Sequence, residues 1–256
     1  MSRPTPKPKP HKTKPAALSL SKDWAGEVCA RTEKELRAVA DPTKAGPMQA
    51  YMKDHGTFLG VASPDRRGAQ RRAWMGISKP NEAGLASAVR QLWALDEREF
   101  QYAAIDLIAK FQKVCSAEFV SNVSYELITT KSWWDTVDGL QHAVEPFVVR
   151  FPELVALMRE WIENDNIWVA RSAILHQLHQ KTNTNPDLLF EFCAARATDQ
   201  EFFIAKAIGW ALRQYSYVDE HAVRSFIEAT PQLRPLSKRE GLKAIHRTAS
   251  RAELSD

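Results

Sequence analysis

Trp134 and Asp138, four positions apart in the segment SWWDTVDGL (132–140), carry the first chemical signal in this chain. At 3.6 residues per turn, Trp133, Val137, Leu140 and Val144 form a complete apolar stripe at i, i+4, i+7 and i+11. That stripe can face a core alone. Trp134 and Asp138 then share a neighbouring stripe with Gln141, one above the other. A core needs neither of them. An aromatic ring beside a carboxylate suits a flat, positively charged ligand, because the ring face and the carboxylate both attract cations.

Further residues fall off the apolar stripes of later segments. In NIWVARSAILHQL the core stripe is Ile167, Ala170, Ile174 and Leu178, and Arg171 stands outside it, three residues after Trp168. In FFIAKAIGWALRQYS, Ile204, Ile208, Leu212 and Tyr215 serve a core, while Trp210 lies between Lys206 and Arg213. An aromatic bracketed by cations suits contact with nucleic acid. Arg66, Arg67, Arg71 and Arg72 cluster at one predicted helix start, and Arg234, Lys238, Arg239 and Lys243 near the C-terminus. Arginines at helix N-termini are good phosphate anchors. Each feature has a plainer reading: the tryptophans pack, the aspartate is solvated, Arg171 pairs with an acid such as Asp165, and the arginine run is a solvated face.

The elements that must position these residues are helices. From Ser21 onward the chain reads as amphipathic helix, with breaks at Asp41-Pro42, Ser63-Pro64, Lys79-Pro80-Asn81, Phe151-Pro152, Asn185-Pro186 and Arg234-Pro235. Helices are expected near 47–54, 64–76, 117–129, 132–149, 166–180, 201–217 and 237–247, among others. No strand-length alternation is convincing. Positions 104, 138, 173 and 207 mark four helices spaced 34, 35 and 34 residues apart, three of them with an Ala-Ile pair. Two helices in a unit of this length predict an all-α solenoid of HEAT or TPR type, whose stacked pairs form a concave face. Asp138 then stands where the other repeats place alanine.

Composition sets the outer bounds. A 256-residue chain with 44% apolar and 26% charged residues describes a soluble globular protein. No apolar run approaches the roughly 20 residues of a membrane helix, and the N-terminus lacks the apolar core of a secretory signal. Residues 1–20 alternate Pro with Lys and Thr and are expected to be a disordered basic tail, followed by a folded domain at 21–248 and a short tail at 249–256. The net charge of +4 belongs to the start of the chain: residues 1–22 hold six cations and no acid, which leaves 29 cations against 31 acids elsewhere. Nucleic-acid binding by the folded part therefore requires cations segregated onto one face, with acids moved away from it. Cys29, Cys115 and Cys193 are too far apart for zinc-finger spacing and read as buried free thiols. His176 and His179 lack further ligands, so no metal is implied.

Several spaced motifs, taken in order, resemble a known family. MQAYMKDHGTFLGVASPDRR (48–67), SWWDTVD, NIWVARSAILHQL, AKAIGWALRQYS and LRPLSKREGLK (233–243) are similar to successive signatures of the AlkD-like DNA alkylation repair glycosylases. The likeness covers the chain from about residue 45, and every key position is retained. It implies HEAT-like repeats with a concave DNA-binding face, and cleavage of the N-glycosidic bond of cationic N3- or N7-alkylated purines in base excision repair. Carried over by motif, it makes Asp138 the catalytic carboxylate, Trp134 and Trp210 aromatic walls beside the lesion, and Arg171 an active-site or DNA-backbone cation. Arg66, Arg67, Lys206, Arg213 and Lys238 are then expected to bind DNA. A monomer acting on double-stranded DNA in the cytoplasm is expected, without a metal or organic cofactor, without a membrane, and without full flipping of the base. The alternatives are a non-catalytic HEAT-repeat DNA-binding or scaffold protein, for which a carboxylate in the groove has no use, and a protein adaptor, for which that stripe would be apolar.

Overall fold

A computed structural model describes residues 23–253 of the chain, with side chains through residue 247. The expected N-terminal tail lies outside the described residues, and so do the last residues of the C-terminal one. The described residues form helices and connecting loops, with one isolated bridge between Thr57 and Glu97 in place of any strand.

Thirteen α-helices follow in order: α1 (Trp24–Arg37), α2 (Pro42–Tyr51), α3 (Ser63–Ala73), α4 (Glu82–Ala94), α5 (Arg98–Phe111), α6 (Tyr125–Thr129), α7 (Trp134–Arg150), α8 (Leu154–Ile162), α9 (Ile167–Leu175), α10 (Pro186–Ala195), α11 (Phe202–Tyr215), α12 (Glu220–Ala229) and α13 (Pro235–Glu253). Their starts follow local chemistry. Asp23, Asn81, Asn166, Asn185 and Asp219 each accept a backbone N–H of the first turn, which satisfies donors that have no partner within the helix. Two sequence expectations shift. The helix expected at 47–54 begins at Pro42, because Asp41 caps it and proline is favoured at the first helical position. The helix expected at 117–129 is interrupted by a π-helical turn, Val120–Ser124, that runs directly into α6.

From α4 onward the helices pair as hairpins: α4 with α5, α6 with α7, α8 with α9, α10 with α11, and α12 with α13. The second members stack in one row, α5 on α7 on α9 on α11 on α13, and one buried apolar cluster runs from Trp24 to Ile245. This is the repeat that the 34-residue period predicts. Ala104, Ala173 and Ala207 are wholly buried, as close approach of neighbouring helices requires.

Asp138 is not their structural counterpart. It is the fifth residue of α7, whereas Ala104 and Ala173 are the seventh of α5 and α9, and Ala207 is the sixth of α11. The other fifth residues are Tyr102, Arg171 and Lys206. The period is right and the register is one or two residues off, so Asp138 belongs to a polar row that crosses the stacked helices.

The cysteines are buried and free. Burial pushes the Cys29 and Cys115 thiols up to about 12, and Cys193 upward as well, so none is a reactive thiolate near neutral pH. His176 and His179 diverge. His176 is buried, which lowers its pKa to about 4, and its Nδ1 lies 2.6 Å from the Ala173 carbonyl. His179 Nδ1 lies 2.9 Å from Glu145 Oε2.

Candidate active site

The start of α7 is fixed by a buried ion pair. Arg98, only 2% exposed, reaches from the first turn of α5 and holds both oxygens of Asp135. The same guanidinium donates to the Lys131 carbonyl at 2.7 Å, just before α7. The Tyr102 hydroxyl donates to Asp135 Oδ2 at 2.5 Å, and burial together with that carboxylate raises the phenol's pKa. The Arg98 stem runs against Gly56 (φ 127°), where a Cβ would come within 2.8 Å of Arg98 Cδ. Arg98 thus joins the loop after α2, the head of α5 and the head of α7. Removing one partner of such a pair costs about 3–5 kcal/mol, because the other is left buried and charged.

One turn further along α7, a second pair stands at the surface of a cleft. Arg171 donates Nε to Asp138 Oδ1 at 2.8 Å and Nη2 to Oδ2 at 2.9 Å. This two-pronged geometry fixes the plane of the carboxylate. The third guanidinium nitrogen, Nη1, donates to the Phe203 carbonyl at the start of α11. Arg171 is 1% exposed, whereas the Asp138 side chain keeps 22% of its surface open. Arg171 therefore lies behind the carboxylate. Its partner is Asp138, not the Asp165 considered from the sequence.

The cleft in front of Asp138 has a volume of about 560 Å³, and its walls are mostly aromatic. Trp134 and Asp138 both line it, as their four-residue spacing predicts. Trp210 forms another part of the wall, with the Arg171 guanidinium 5.1 Å and Lys206 Nζ 5.7 Å from its ring centre. Its cations are thus Lys206 and Arg171, while Arg213 turns away to Glu240. Tyr51, from the end of α2, meets Trp134 edge-on at 6.2 Å. Phe202, 57% exposed, and Phe203 contribute from the head of α11.

Trp133 corrects the sequence reading. Helical spacing puts it on the core stripe with Val137, Leu140 and Val144, and those three are fully buried. Trp133 instead precedes the helix in extended conformation (φ −155°, ψ 165°), so the helical periodicity does not reach it. It lines the cleft, stacked on His55 at 3.6 Å and edge-on to Phe203 at 5.1 Å. Gln141 moves the other way: expected beside Trp134 and Asp138, it is buried.

The expected DNA-contacting cations are only partly gathered. Lys206 lines the cleft; Arg66, Arg67, Arg213 and Lys238 do not. Arg66 pairs with Asp106 at 2.9 Å and lies over the Tyr102 ring, while Arg67 is exposed. Arg72 pairs with Glu35 of α1. Lys238 donates to the Pro231 carbonyl at 2.9 Å. The expected removal of acids from this surface fails at Glu240, which pairs with both Lys206 and Arg213 at 3.1 Å. Sequence reasoning missed Tyr51, Lys53, Phe202 and Phe203 as lining residues. Adjacent aromatics at a helix start were a visible signal for the phenylalanines, whereas Tyr51 is the last residue of α2 and Lys53 lies in the turn beyond it, where the helix expected at 47–54 has already ended.

Comparisons with known proteins identify the family. The family described as DNA alkylation repair enzymes matches residues 32–245. Three chains of solved structures match. One is described as a predicted DNA alkylation repair enzyme from Enterococcus faecalis; it is 32% identical, with a TM-score of 0.74 over 80% of this chain and 95% of that one. A search of curated proteins gives no match.

Proposed function

Because the chain belongs to the family of DNA alkylation repair enzymes, we propose that it is a monofunctional DNA glycosylase acting as a monomer on cationic N3- and N7-alkylated purines. The observation that carries this reading is the Asp138 carboxylate, clamped from behind by Arg171 and open on one edge to an aromatic cleft.

A purine alkylated at N7 or N3 already carries positive charge and leaves without being protonated. As the C1′–N bond breaks, the base departs with the bonding pair, and positive charge builds on the sugar as an oxocarbenium ion. A fixed carboxylate stabilises that charge and orients the water that adds to C1′; the proton shed by the water leaves to solvent. One acid is sufficient, because the leaving group needs none. The aromatic walls favour a cationic base over a neutral one by about 0.5–2 kcal/mol per contact. Arg171 has a second role on this reading. A lone carboxylate in a polyanion's groove repels phosphates, and the buried guanidinium behind it offsets that repulsion at longer range. Of the cations expected on DNA, Lys206 lines the cleft and Arg67 is exposed, and these two are assigned to the DNA backbone.

Selectivity tests the proposal. Duplexes carrying N7-methylguanine or N3-methyladenine should lose the free base, whereas one carrying neutral O6-methylguanine should not. Equal release of the neutral base would remove the argument from charge.

The walls can be tested separately. We expect Trp134→Ala and Trp210→Ala each to slow excision about tenfold, while the melting temperature stays within a few degrees of wild type, because neither ring is fully buried. A steep fall in melting temperature with unchanged excision would make both rings packing residues.

A further inference from the structure

We infer that Lys53 is a phosphate-binding residue of the cleft, held at its rim by a turn that is conformationally unfavourable in its own right. This inference rests on the glycosylase reading, and it adds a residue to which the sequence reading assigns no role.

After Tyr51 ends α2, Lys53 (φ 57°) and Asp54 (φ 61°) both adopt the left-handed backbone region, followed by Gly56 (φ 127°). Two consecutive non-glycine residues there are uncommon, and such conformations persist only where surrounding contacts impose them. Here they do. Lys53 N donates to the Ala50 carbonyl at 3.1 Å, Asp54 N to Gln49 O at 3.0 Å, and His55 N to Met52 O at 3.2 Å. The Gln49 amide donates to Asp54 Oδ1 at 3.2 Å, and the His55 ring stacks on Trp133. The chain thus maintains a disfavoured turn that places Lys53 on the wall of the cleft containing Asp138.

The other cleft cations already have carboxylate partners: Arg171 holds Asp138, and Lys206 shares Glu240 with Arg213. Lys53 is exposed, and among the described residues it forms no ion pair. An ammonium is not suited to the cationic base, which it repels. It is suited to the anion next to it. Every deoxyribose in a DNA strand is flanked by phosphates, and a lysine recognises phosphate as a compact point charge.

The test uses the full-length protein and a duplex containing a tetrahydrofuran abasic analogue, which cannot be turned over. Binding is measured against salt for wild type, Lys53→Ala, Lys53→Gly and Lys53→Arg. Loss of one phosphate contact should reduce the slope of log affinity against log salt by about 0.9 for Lys53→Ala and Lys53→Gly, and leave Lys53→Arg near wild type. In single-turnover excision the half-saturating enzyme concentration should rise about tenfold at low salt, with the saturated rate changed less than about threefold. Lys53→Gly separates this role from a structural one: glycine relieves the left-handed strain, so its melting temperature should equal or exceed that of wild type while binding is lost. An unchanged salt slope, a loss confined to the saturated rate, or a Lys53→Gly variant that melts earlier would each overturn the inference. Normal excision by Lys53→Ala would remove this residue alone, whereas the absence of base release by wild type would remove the glycosylase reading and leave the binding experiment to judge Lys53.

Discussion

Asp138→Asn is expected to lower the single-turnover rate of base release by at least about a hundredfold, the scale of losing one preorganised electrostatic group, while binding to DNA persists or tightens. The substitution keeps the shape of the side chain and removes the charge facing the sugar. It also disturbs the pair with Arg171. Of the two prongs now accepted at 2.8 and 2.9 Å, the Asn oxygen can accept one, and its amide group faces a donor at the other. The folded state should therefore lose about 1–3 kcal/mol, and excision must be measured well below the variant's melting temperature. An Asn variant that cleaves at close to the wild-type rate would take Asp138 out of the chemistry.

Arg171→Ala should be comparably damaging by a different route. The guanidinium lies behind the carboxylate, 1% exposed, and its third nitrogen serves the Phe203 carbonyl. Truncation frees the carboxylate to rotate, removes the cation next to Trp210, and opens a hole between α7, α9 and α11. We expect excision to fall at least about tenfold and stability by about 2–4 kcal/mol. The salt dependence of binding should not change, because a cation already paired inside the protein releases no counterion from DNA. Arg171→Lys keeps the charge and loses the fork, so it should recover part of the stability and little of the rate. A salt slope reduced by about 0.9 in Arg171→Ala, with excision intact at saturating enzyme, would make Arg171 a backbone contact.

Much of this architecture is legible in the sequence. Helix starts are written in local chemistry, as with Asn185-Pro186 at the head of α10. The repeat is written in a period of about 34 residues, and the Trp134–Asp138 stripe in helical spacing. What the sequence hides has identifiable causes. Trp133 fits the core periodicity of α7 but precedes its first turn, so a helical wheel places it on the wrong side. Arg171 falls outside the apolar stripe of Ile167, Ala170, Ile174 and Leu178, yet it is wholly buried because Asp138, 33 residues earlier, supplies its counter-charge. That pairing joins α7 to α9, and no local pattern reports it. Tyr51 and Lys53 reach the cleft through the end of α2 and a left-handed turn, which leaves no periodic trace. The charge argument failed in part because it treated residues singly. Lys206 and Arg213 are cationic in composition, but Glu240 lies between them.

The central claim is that this chain releases cationic alkylpurines as free bases. The most direct measurement is single-turnover excision from a duplex with one N7-methylguanine, using excess enzyme in chelator, followed by chromatography of the small molecules and of the strand. The account predicts free 7-methylguanine well above the rate without enzyme, and a strand that stays intact until alkali or heat breaks it at the abasic site. Release of no base, dependence on an added metal ion, or recovery of unmodified guanine still in the strand would contradict it.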